Sequence, residues 1–180
     1  MIENKRVRET PLDYWQDILR AHRDGKIGMF TAEEKFINRY IEQMKKLFKY
    51  GLAFIKNNKI LLCKPFAFDQ LILPGGIREA EENYISCLKR EIKEELGSNA
   101  ILDVKSLRYL GNFMDLAAGR ENTLVEIELY LGKVNGHIQP SSEIKELIWF
   151  STIDKKNVLS RIIKNKILPE LIIRGYLYEI

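Results

Sequence analysis

Two stretches near the N-terminus have hydrophobic residues at the spacing of an amphipathic helix. The first begins at Thr10, an N-cap followed by proline, and stops at Asp24-Gly25. The second begins with the capping box Thr31–Glu34. Its apolar positions are Phe36, Ile37, Tyr40, Ile41, Met44 and Leu47. Neither helix can bury its stripe alone, so we expect packing within the chain, with a homodimer formed through these helices as the alternative.

From Tyr50 onward, short apolar runs separated by turn residues replace the helical spacing. Residues 51–55 and 59–63, joined by Asn57-Asn58, predict a hairpin of two buried strands. Further strands are predicted at 71–73, at 100–113 with a bend near Ser106, at 123–134 and in the segment leading to Ser151, with an exposed loop at 114–121. A closing helix is expected around 158–163, interrupted by Pro169. The pattern is typical of an α/β protein with a mixed sheet covered by helices.

One helix stands between these strands. Asn83 is a favourable N-cap, and Gly97 lies where a glycine commonly ends a helix. The apolar stripe of this helix is formed by Ile85, Leu88, Ile92 and Leu96. The sequence therefore predicts a helix from about residue 84 to residue 96.

Three glutamates share one side of this helix. Glu91 and Glu95 are one turn apart, and Glu94 lies on the adjoining flank. Clustered carboxylates raise one another's pKa unless a cation lies among them, and oxygen ligands are what Mg²⁺ prefers. An ordinary solvated acidic face is the alternative. The preceding pair Gly75-Gly76 favours the metal site, because it indicates a backbone that a ligand approaches closely.

Composition limits the other possibilities. The chain has 180 residues, which suits one domain with an appendage, and 46% of them are hydrophobic. Its net charge of +4 is scattered along the chain, which argues against a nucleic-acid partner. Cys63 and Cys87 form no metal-ligand spacing and are expected to be packing residues. No apolar run is long enough to span a membrane and no signal peptide is evident, so we expect a cytoplasmic protein.

The stretch from Leu73 to Gly97 resembles the Nudix box of the Nudix hydrolases. Gly76 is followed after five residues by Glu82, and after seven more by Arg90-Glu91-Ile92-Lys93-Glu94-Glu95-Leu96-Gly97. One position departs, since Ser98 stands where the family has an aliphatic residue. The resemblance implies the Nudix α/β/α sandwich with a mixed sheet over residues 48–180. It leaves residues 1–47, the N-terminal two-helix extension, unexplained.

The resemblance also implies roles for the box residues. Family members hydrolyse a nucleoside diphosphate linked to another group and use Mg²⁺ or Mn²⁺. On the matching positions the metal ligands are Glu91, Glu94, Glu95 and the carbonyl of Gly75, and Glu95 is the central one. Arg90 would hold the glutamates in register, while Gly76, Glu82 and Gly97 are structural.

The sequence leaves more than one candidate for the general base. A box glutamate could serve, or Glu143 could reach across from the loop before the strand that carries Trp149. Glu146 is a weaker candidate. His137 follows a turn glycine and is expected to be exposed.

Substrate choice is less well defined. No proline lies between Ser98 and Arg120, which argues against ADP-ribose by comparison with the family. The first expectation is a small-molecule nucleotide, namely a nucleoside triphosphate, normal or oxidised, cleaved to the monophosphate and pyrophosphate. The alternatives are an ADP-ribose or nucleotide-sugar pyrophosphatase and a nucleotide-sensing domain without catalysis. Aromatic residues that could stack on a base are Phe66, Phe68 and Phe113.

Overall fold

The computed structural model describes residue 41 and residues 44–154 and 158–178. The two predicted N-terminal helices lie almost wholly outside the described residues, so the two-helix extension and a dimer formed through it stay predictions. The end of the second helix is wrong, because Leu47 belongs to a strand and pairs with Val125. The compact unit that carries the sheets begins at Lys45, three residues before the predicted start of the main domain at residue 48.

The described residues form a mixed sheet, as the strand pattern predicts, and a smaller antiparallel sheet that the pattern does not predict. The strand expected at 71–73 is wrong, because Leu71 and Ile72 form only isolated bridges, with Leu159 and Cys63. The strands are β1 (Lys45–Ala53), β2 (Ile55–Lys56), β3 (Lys59–Pro65), β4 (Gly75–Ile77), β5 (Ile101–Leu116), β6 (Thr123–Asn135) and β7 (Ile144–Phe150). The larger sheet has the order β4-β1-β6-β5, with β1 and β6 parallel and the other pairs antiparallel. The smaller sheet has the order β2-β3-β7.

The predicted hairpin is confirmed only in part. Asn57 and Asn58 both have positive φ, 51° and 57°, as a tight two-residue hairpin turn requires. The strand before this turn, however, is divided at Phe54. Residues 51–53 belong to β1 in the larger sheet, whereas Ile55–Lys56 pair with β3 in the smaller one. This division lets one continuous segment join the two sheets.

The predicted central helix is confirmed as α1 (Tyr84–Leu96). The Asn83 side chain accepts hydrogen bonds from the N–H groups of Ile85 and Ser86, and the Ser86 hydroxyl accepts one from the Asn83 N–H. This reciprocal pair satisfies N–H groups that the first turn otherwise leaves without partners. Gly97 ends the helix with φ of 95°.

The closing helix is not interrupted by proline. A π-helical segment, Ile163–Ile167, runs directly into α2 (Leu168–Ile173), which has Pro169 in its first turn. The Leu168 N–H donates to the carbonyl of Ile163, five residues earlier, so the backbone widens just before the proline. The prediction of a break at Pro169 is therefore wrong. None of the described helices is long and apolar enough to cross a membrane.

The two helices cover opposite faces of the strands. Along β3, Ile60 and Leu62 belong to the hydrophobic cluster that contains the closing helix, whereas Leu61 and Cys63 belong to the cluster under α1. Because side chains alternate along a strand, the strands form the middle layer between α1 and α2. Cys63 and Cys87 are buried, free thiols in the α1 cluster, and burial raises the pKa of Cys87 to about 12.

The long strand after α1 departs from the prediction at its C-terminal end. The expected bend is present, since the β5–β6 register shifts between Asp103 and Arg108. Residues 114–116, expected in an exposed loop, instead continue β5, and Asp115 is only 1% exposed. The Asp115 carboxylate lies 3.3 Å from Arg161 Nε and accepts hydrogen bonds from Asn165 Nδ2 (3.3 Å) and the Leu116 N–H (2.7 Å). This buried carboxylate therefore ties the closing helix to the larger sheet.

We expect Asp115→Ala to lower the free energy of unfolding by about 2–3 kcal/mol, since it removes the buried partner of Arg161 and an acceptor for Asn165. Urea unfolding followed by circular dichroism measures this. Asp103→Ala is the matched control, because Asp103 is half-buried and its carboxylate accepts a local hydrogen bond from the Lys105 N–H. It should cost about 1 kcal/mol or less. Equal losses in the two variants would contradict the role of Asp115.

Candidate active site

Three carboxylates from distant parts of the chain meet beside α1. Glu91 and Glu95 belong to α1, and Glu143 is the residue immediately before β7. Each offers an oxygen within 4.8 Å of the others, and we call these three residues the carboxylate cluster. Glu91 and Glu95 are 8% and 2% exposed, whereas Glu143 is exposed. The ordinary solvated acidic face is therefore excluded for Glu91 and Glu95.

The glycine pair makes room for these buried carboxylates. The Gly75 N–H donates to Glu95 Oε2 at 2.8 Å, and Gly75 has φ of 120°, which side-chain-bearing residues rarely adopt. A Cβ at Gly76 would overlap the carboxylate of Glu91. The sequence indicates that a ligand approaches the backbone closely at this glycine pair. In the structure, the groups that approach it are the protein's own glutamates. The structure shows the N–H of Gly75 in contact with the cluster, and the role of its carbonyl as a metal ligand stays a prediction.

Arg90 holds the turn before α1 against the helix. Its Nε and Nη2 donate to the two carboxylate oxygens of Glu82 at 2.8 and 2.9 Å, and Nη2 also donates to the carbonyl of Ile77. Its Nη1 donates to Glu91 Oε1 at 2.7 Å. These hydrogen bonds from Arg90 lower the pKa of Glu82 to about 2. The bidentate contact is therefore made with the structural glutamate of the motif, and the same guanidinium orients Glu91.

Glu94 lies apart from the carboxylate cluster. Its carboxylate accepts a hydrogen bond from Arg90 Nη1 at 3.2 Å, and 49% of its side chain is exposed. The helix spacing correctly places Glu91 and Glu95 on one face. Helix spacing alone does not show that Glu94, on the neighbouring flank, faces Arg90 and solvent. Ligation of a metal by Glu94 stays a prediction.

The loop that carries Glu143 is tied to the end of α1. The Gln139 N–H donates to the carbonyl of Leu96 at 3.0 Å, and the Ser141 N–H donates to the carbonyl of Glu95 at 3.1 Å. The carbonyl of Glu143 accepts a hydrogen bond from the Phe66 N–H. The bonds from Gln139 and Ser141 satisfy carbonyls that the last helical turn leaves unpaired. Together, the three bonds hold Glu143 beside the other two carboxylates.

The other candidates for the general base lie elsewhere. Glu146 is exposed on β7, opposite Lys64 of β3, and it is not part of the carboxylate cluster. His137 is exposed, as its position after a turn glycine predicts.

A cleft of about 530 Å³ opens beside the cluster. All three carboxylates line it, together with the cations Lys49, Arg90 and Arg120. Its apolar part is lined by Leu47, Leu73, Val125, Ile127, Ile162 and Ile163. Lys49, Arg120 and Ser160 also line the cleft, and no sequence pattern predicts this, because each comes from a segment far from the motif.

Of the three aromatic candidates, only Phe68 lines the cleft. Gly119 lies so close to its ring that a Cβ there would overlap it, so the loop after β5 packs on Phe68. Phe66 is 69% exposed, and Phe113 packs against the core that contains the closing helix.

The cluster is electrostatically unfavourable by itself. Burial, together with the neighbouring carboxylates of Glu91 and Glu143, raises the pKa of Glu95 to about 8 against the opposing hydrogen bond from Gly75. Burial also raises the pKa of Glu91, although Arg90 opposes this shift. Lys49 supplies positive charge near both acids. These raised pKa values mean that the nearby positive charge is too small to stabilise the buried carboxylates in their ionised form. A bound cation would supply the missing positive charge.

The raised pKa of Glu95 predicts a pH dependence of stability. In the unfolded chain this carboxyl ionises near 4.5, whereas in the folded protein it stays protonated to about 8. The contribution of Glu95 to the free energy of unfolding is therefore fully present below about pH 4.5 and is lost as the pH rises through about 8. In a metal-free buffer, the free energy of unfolding should fall over this interval less steeply in Glu95→Gln than in the wild type. Identical slopes in urea unfolding would show that Glu95 ionises normally in the folded protein.

Comparisons with known proteins agree with this geometry. The sequence profile of the NUDIX domain matches residues 50–170. No curated protein matches the chain by sequence. Among solved structures, a MutT protein from Methanosarcina mazei Go1 is 16% identical with a TM-score of 0.59, and the alignment covers 74% of this chain and 98% of that one.

Two further structures carry other descriptions. A UDP-X diphosphatase is 22% identical with a TM-score of 0.54, over 93% of this chain and 85% of that one. An ADP-ribose pyrophosphatase from Streptococcus suis is 22% identical with a TM-score of 0.50, over 74% of this chain and 96% of that one. At these identities the structures establish the fold alone. Because the NUDIX profile covers well over half of the sequence, the chain belongs to the NUDIX domain family and is a hydrolase that acts on pyrophosphate bonds.

Proposed function

We propose that this protein is a Mg²⁺-dependent nucleotide pyrophosphohydrolase, for which Mn²⁺ can replace Mg²⁺. The substrate is a nucleoside triphosphate, normal or oxidised, which is cleaved to the monophosphate and pyrophosphate. The observation that carries this proposal is the carboxylate cluster, which lines a cleft that also has an apolar wall. Such a cleft suits a molecule with a phosphate chain at one end and a largely apolar ring at the other.

The donor set fits a hard divalent cation. Glu91, Glu95 and Glu143 offer only carboxylate oxygens, within 4.8 Å of one another, and oxygen ligands are what Mg²⁺ and Mn²⁺ bind. When bound, the cation neutralises charge on the phosphate oxygens and acidifies a bound water molecule. Glu94 would complete the set if its side chain moved toward the cluster, since it now accepts a hydrogen bond from Arg90 through one oxygen.

The protein's own residues divide the remaining work. The hydrogen bond from Gly75 fixes the Glu95 carboxylate, and the ion pair with Arg90 fixes that of Glu91. Glu143 is the solvent-exposed member of the cluster, so water reaches it most easily and it can accept a proton from the attacking water. Lys49 lines the same cleft and can bind phosphate oxygens.

A second candidate is hydrolysis of a nucleoside diphosphate joined to a sugar or another group. Proteins described as a UDP-X diphosphatase and an ADP-ribose pyrophosphatase share this fold, so this candidate is tested beside the first. The third alternative, a nucleotide sensor without catalysis, is disfavoured, since the carboxylate cluster and the Arg90–Glu82 ion pair are both present.

Product analysis separates these functions. The purified protein is incubated with Mg²⁺ and nucleoside triphosphates, ADP-ribose or nucleotide sugars, and the products are identified by chromatography. A nucleoside monophosphate plus pyrophosphate supports the first proposal, and two monophosphate products support the second. Failure to cleave any of these compounds would favour the sensor.

Glu95→Gln should lower kcat by about a thousandfold or more on the preferred substrate, since a glutamine cannot ionise as the central carboxylate of the cluster would when the cation binds. Its fold should persist, because the glutamine oxygen can still accept the hydrogen bond from Gly75. Glu146→Gln is the matched control on a carboxylate outside the cluster, and it should keep wild-type activity within about threefold. Equal activity of Glu95→Gln and the wild type would rule out the assigned role.

Gly76→Ala tests the space reserved for Glu91. The new methyl group would displace the Glu91 carboxylate, so the Mg²⁺ concentration needed for half-maximal activity should rise about 10- to 100-fold. Gly175→Ala is the control for a glycine substitution away from the cluster. Its φ of 72° makes alanine cost some stability, but nothing lies within 4 Å of a Cβ there, so its Mg²⁺ dependence should not change. Unchanged Mg²⁺ dependence in Gly76→Ala would mean that Glu91 is not held at the position in which it binds the cation.

A further inference from the structure

Ser160 has a buried hydroxyl group with no hydrogen-bond partner. The residue is 2% exposed, and its Oγ is the one buried side-chain nitrogen or oxygen without a partner in the part of the chain that the structure describes. Buried hydroxyl groups are almost always paired, because leaving water without a new hydrogen bond is unfavourable. An unpaired hydroxyl group in the wall of a cleft can take its missing partner from a bound ligand.

The backbone around Ser160 is fixed by its own hydrogen bonds. The Ser160 N–H donates to the carbonyl of Leu71 at 3.0 Å, and the Leu71 N–H donates to the carbonyl of Val158 at 2.8 Å. The carbonyl of Ser160 accepts a hydrogen bond from the Lys164 N–H. The main chain is therefore satisfied on both sides, and the hydroxyl group alone is left over on a rigid support.

Ser160 belongs to the apolar wall of the cleft. It lines the cleft together with Ile162 and Ile163. These isoleucines share a hydrophobic cluster with Val125 and Ile127, which also line the cleft. This wall thus offers apolar surface, and the unpaired hydroxyl group lies buried behind it, so a ligand in the cleft pairs with it once the Ser160 side chain turns toward the cleft. The carboxylates that would hold the cation lie on the side of α1.

We propose that Ser160 Oγ hydrogen-bonds to the base of the bound nucleotide and is a specificity-determining residue of this enzyme. The inference rests on the proposed function, because it takes the phosphate chain to lie at the carboxylate cluster. A flat heteroaromatic base suits an apolar wall that has a single hydroxyl, since its faces are apolar and its edge carries the polar atoms. A second phosphorylated sugar does not, because most of its hydroxyl groups would lose their hydrogen bonds to water without replacement.

The hydroxyl group can select between bases. A serine hydroxyl can donate to a carbonyl oxygen or ring nitrogen, or accept from an amino group. A base whose edge pairs with Ser160 keeps that hydrogen bond in the cleft, whereas a base with an apolar atom at the same place leaves both sides unpaired. Sites that rely on a buried hydrogen bond reject the analogue that lacks it.

Binding measurements test this role without requiring turnover. The common ribonucleoside and deoxyribonucleoside 5′-monophosphates, and ribose 5-phosphate, are titrated by calorimetry into the wild type, Ser160→Ala and Ser151→Ala. Ser151 is a buried serine that does not line the cleft, so it is the matched control. The same variants are assayed with Mg²⁺ and the corresponding triphosphates for kcat and KM.

Ser160→Ala should weaken binding of the preferred monophosphate by roughly three- to tenfold and reduce the discrimination between bases. Its affinity for ribose 5-phosphate should not change, and its KM should rise while kcat stays the same. Its thermal stability should equal or exceed that of the wild type, because an unpaired buried hydroxyl group is removed. A serine that mainly supports the fold would give the opposite result in that last measurement.

The outcomes distinguish this inference from the proposed function. Unchanged base preference in Ser160→Ala, as would occur if a water molecule satisfied the hydroxyl group, overturns the role of Ser160 and leaves the hydrolase proposal standing. A wild type that binds no nucleoside monophosphate better than ribose 5-phosphate also overturns it. A wild type that cleaves no triphosphate, with base binding still dependent on Ser160, overturns the proposed function instead.

Discussion

The burial of two carboxylates under a glycine turn is the constraint on which the rest of this structure depends. Glu91 and Glu95 can pack there only because Gly76 has no side chain and Gly75 donates its N–H to Glu95. This glycine turn is also bound to β1, because the Leu52 N–H donates a hydrogen bond to the carbonyl of Pro74. Moving any of these backbone groups would displace the carboxylates, so the fold and the cleft are set by the same contacts.

This arrangement favours function over stability. Burial and mutual repulsion raise the pKa values of Glu91 and Glu95, which means that their charged forms are less stable in the folded protein than in water. The ion pairs of Arg90 and the nearby charge of Lys49 offset only part of this. A site that is unfavourable without a cation is one that a cation stabilises, and metal binding is then coupled to the free energy of folding.

The sequence was most informative where the determining contacts are local. Helix α1, its Asn83 cap and the Asn57-Asn58 turn follow from neighbouring residues, and so does the shared face of Glu91 and Glu95. The family, too, follows from one continuous motif.

Contacts between distant segments were not readable in the same way. Helix spacing placed Glu94 beside Glu91 and Glu95, whereas in the structure Glu94 lies outside the carboxylate cluster and accepts a hydrogen bond from Arg90. Asp115 was expected in an exposed loop, because its partner Arg161 is far along the chain. The same holds for Ser160, whose significance depends on the cleft that surrounds it and on the absence of a partner among the described residues.

The central claim is that the carboxylate cluster holds a divalent cation facing the cleft. The most direct measurement is an anomalous difference map from a crystal of the protein grown with Mn²⁺ and a nucleoside monophosphate. We predict a peak bounded by the carboxylates of Glu91, Glu95 and Glu143, with the phosphate of the nucleotide beside it. Mn²⁺ bound elsewhere, with these three side chains still in contact only with the protein, would contradict the account.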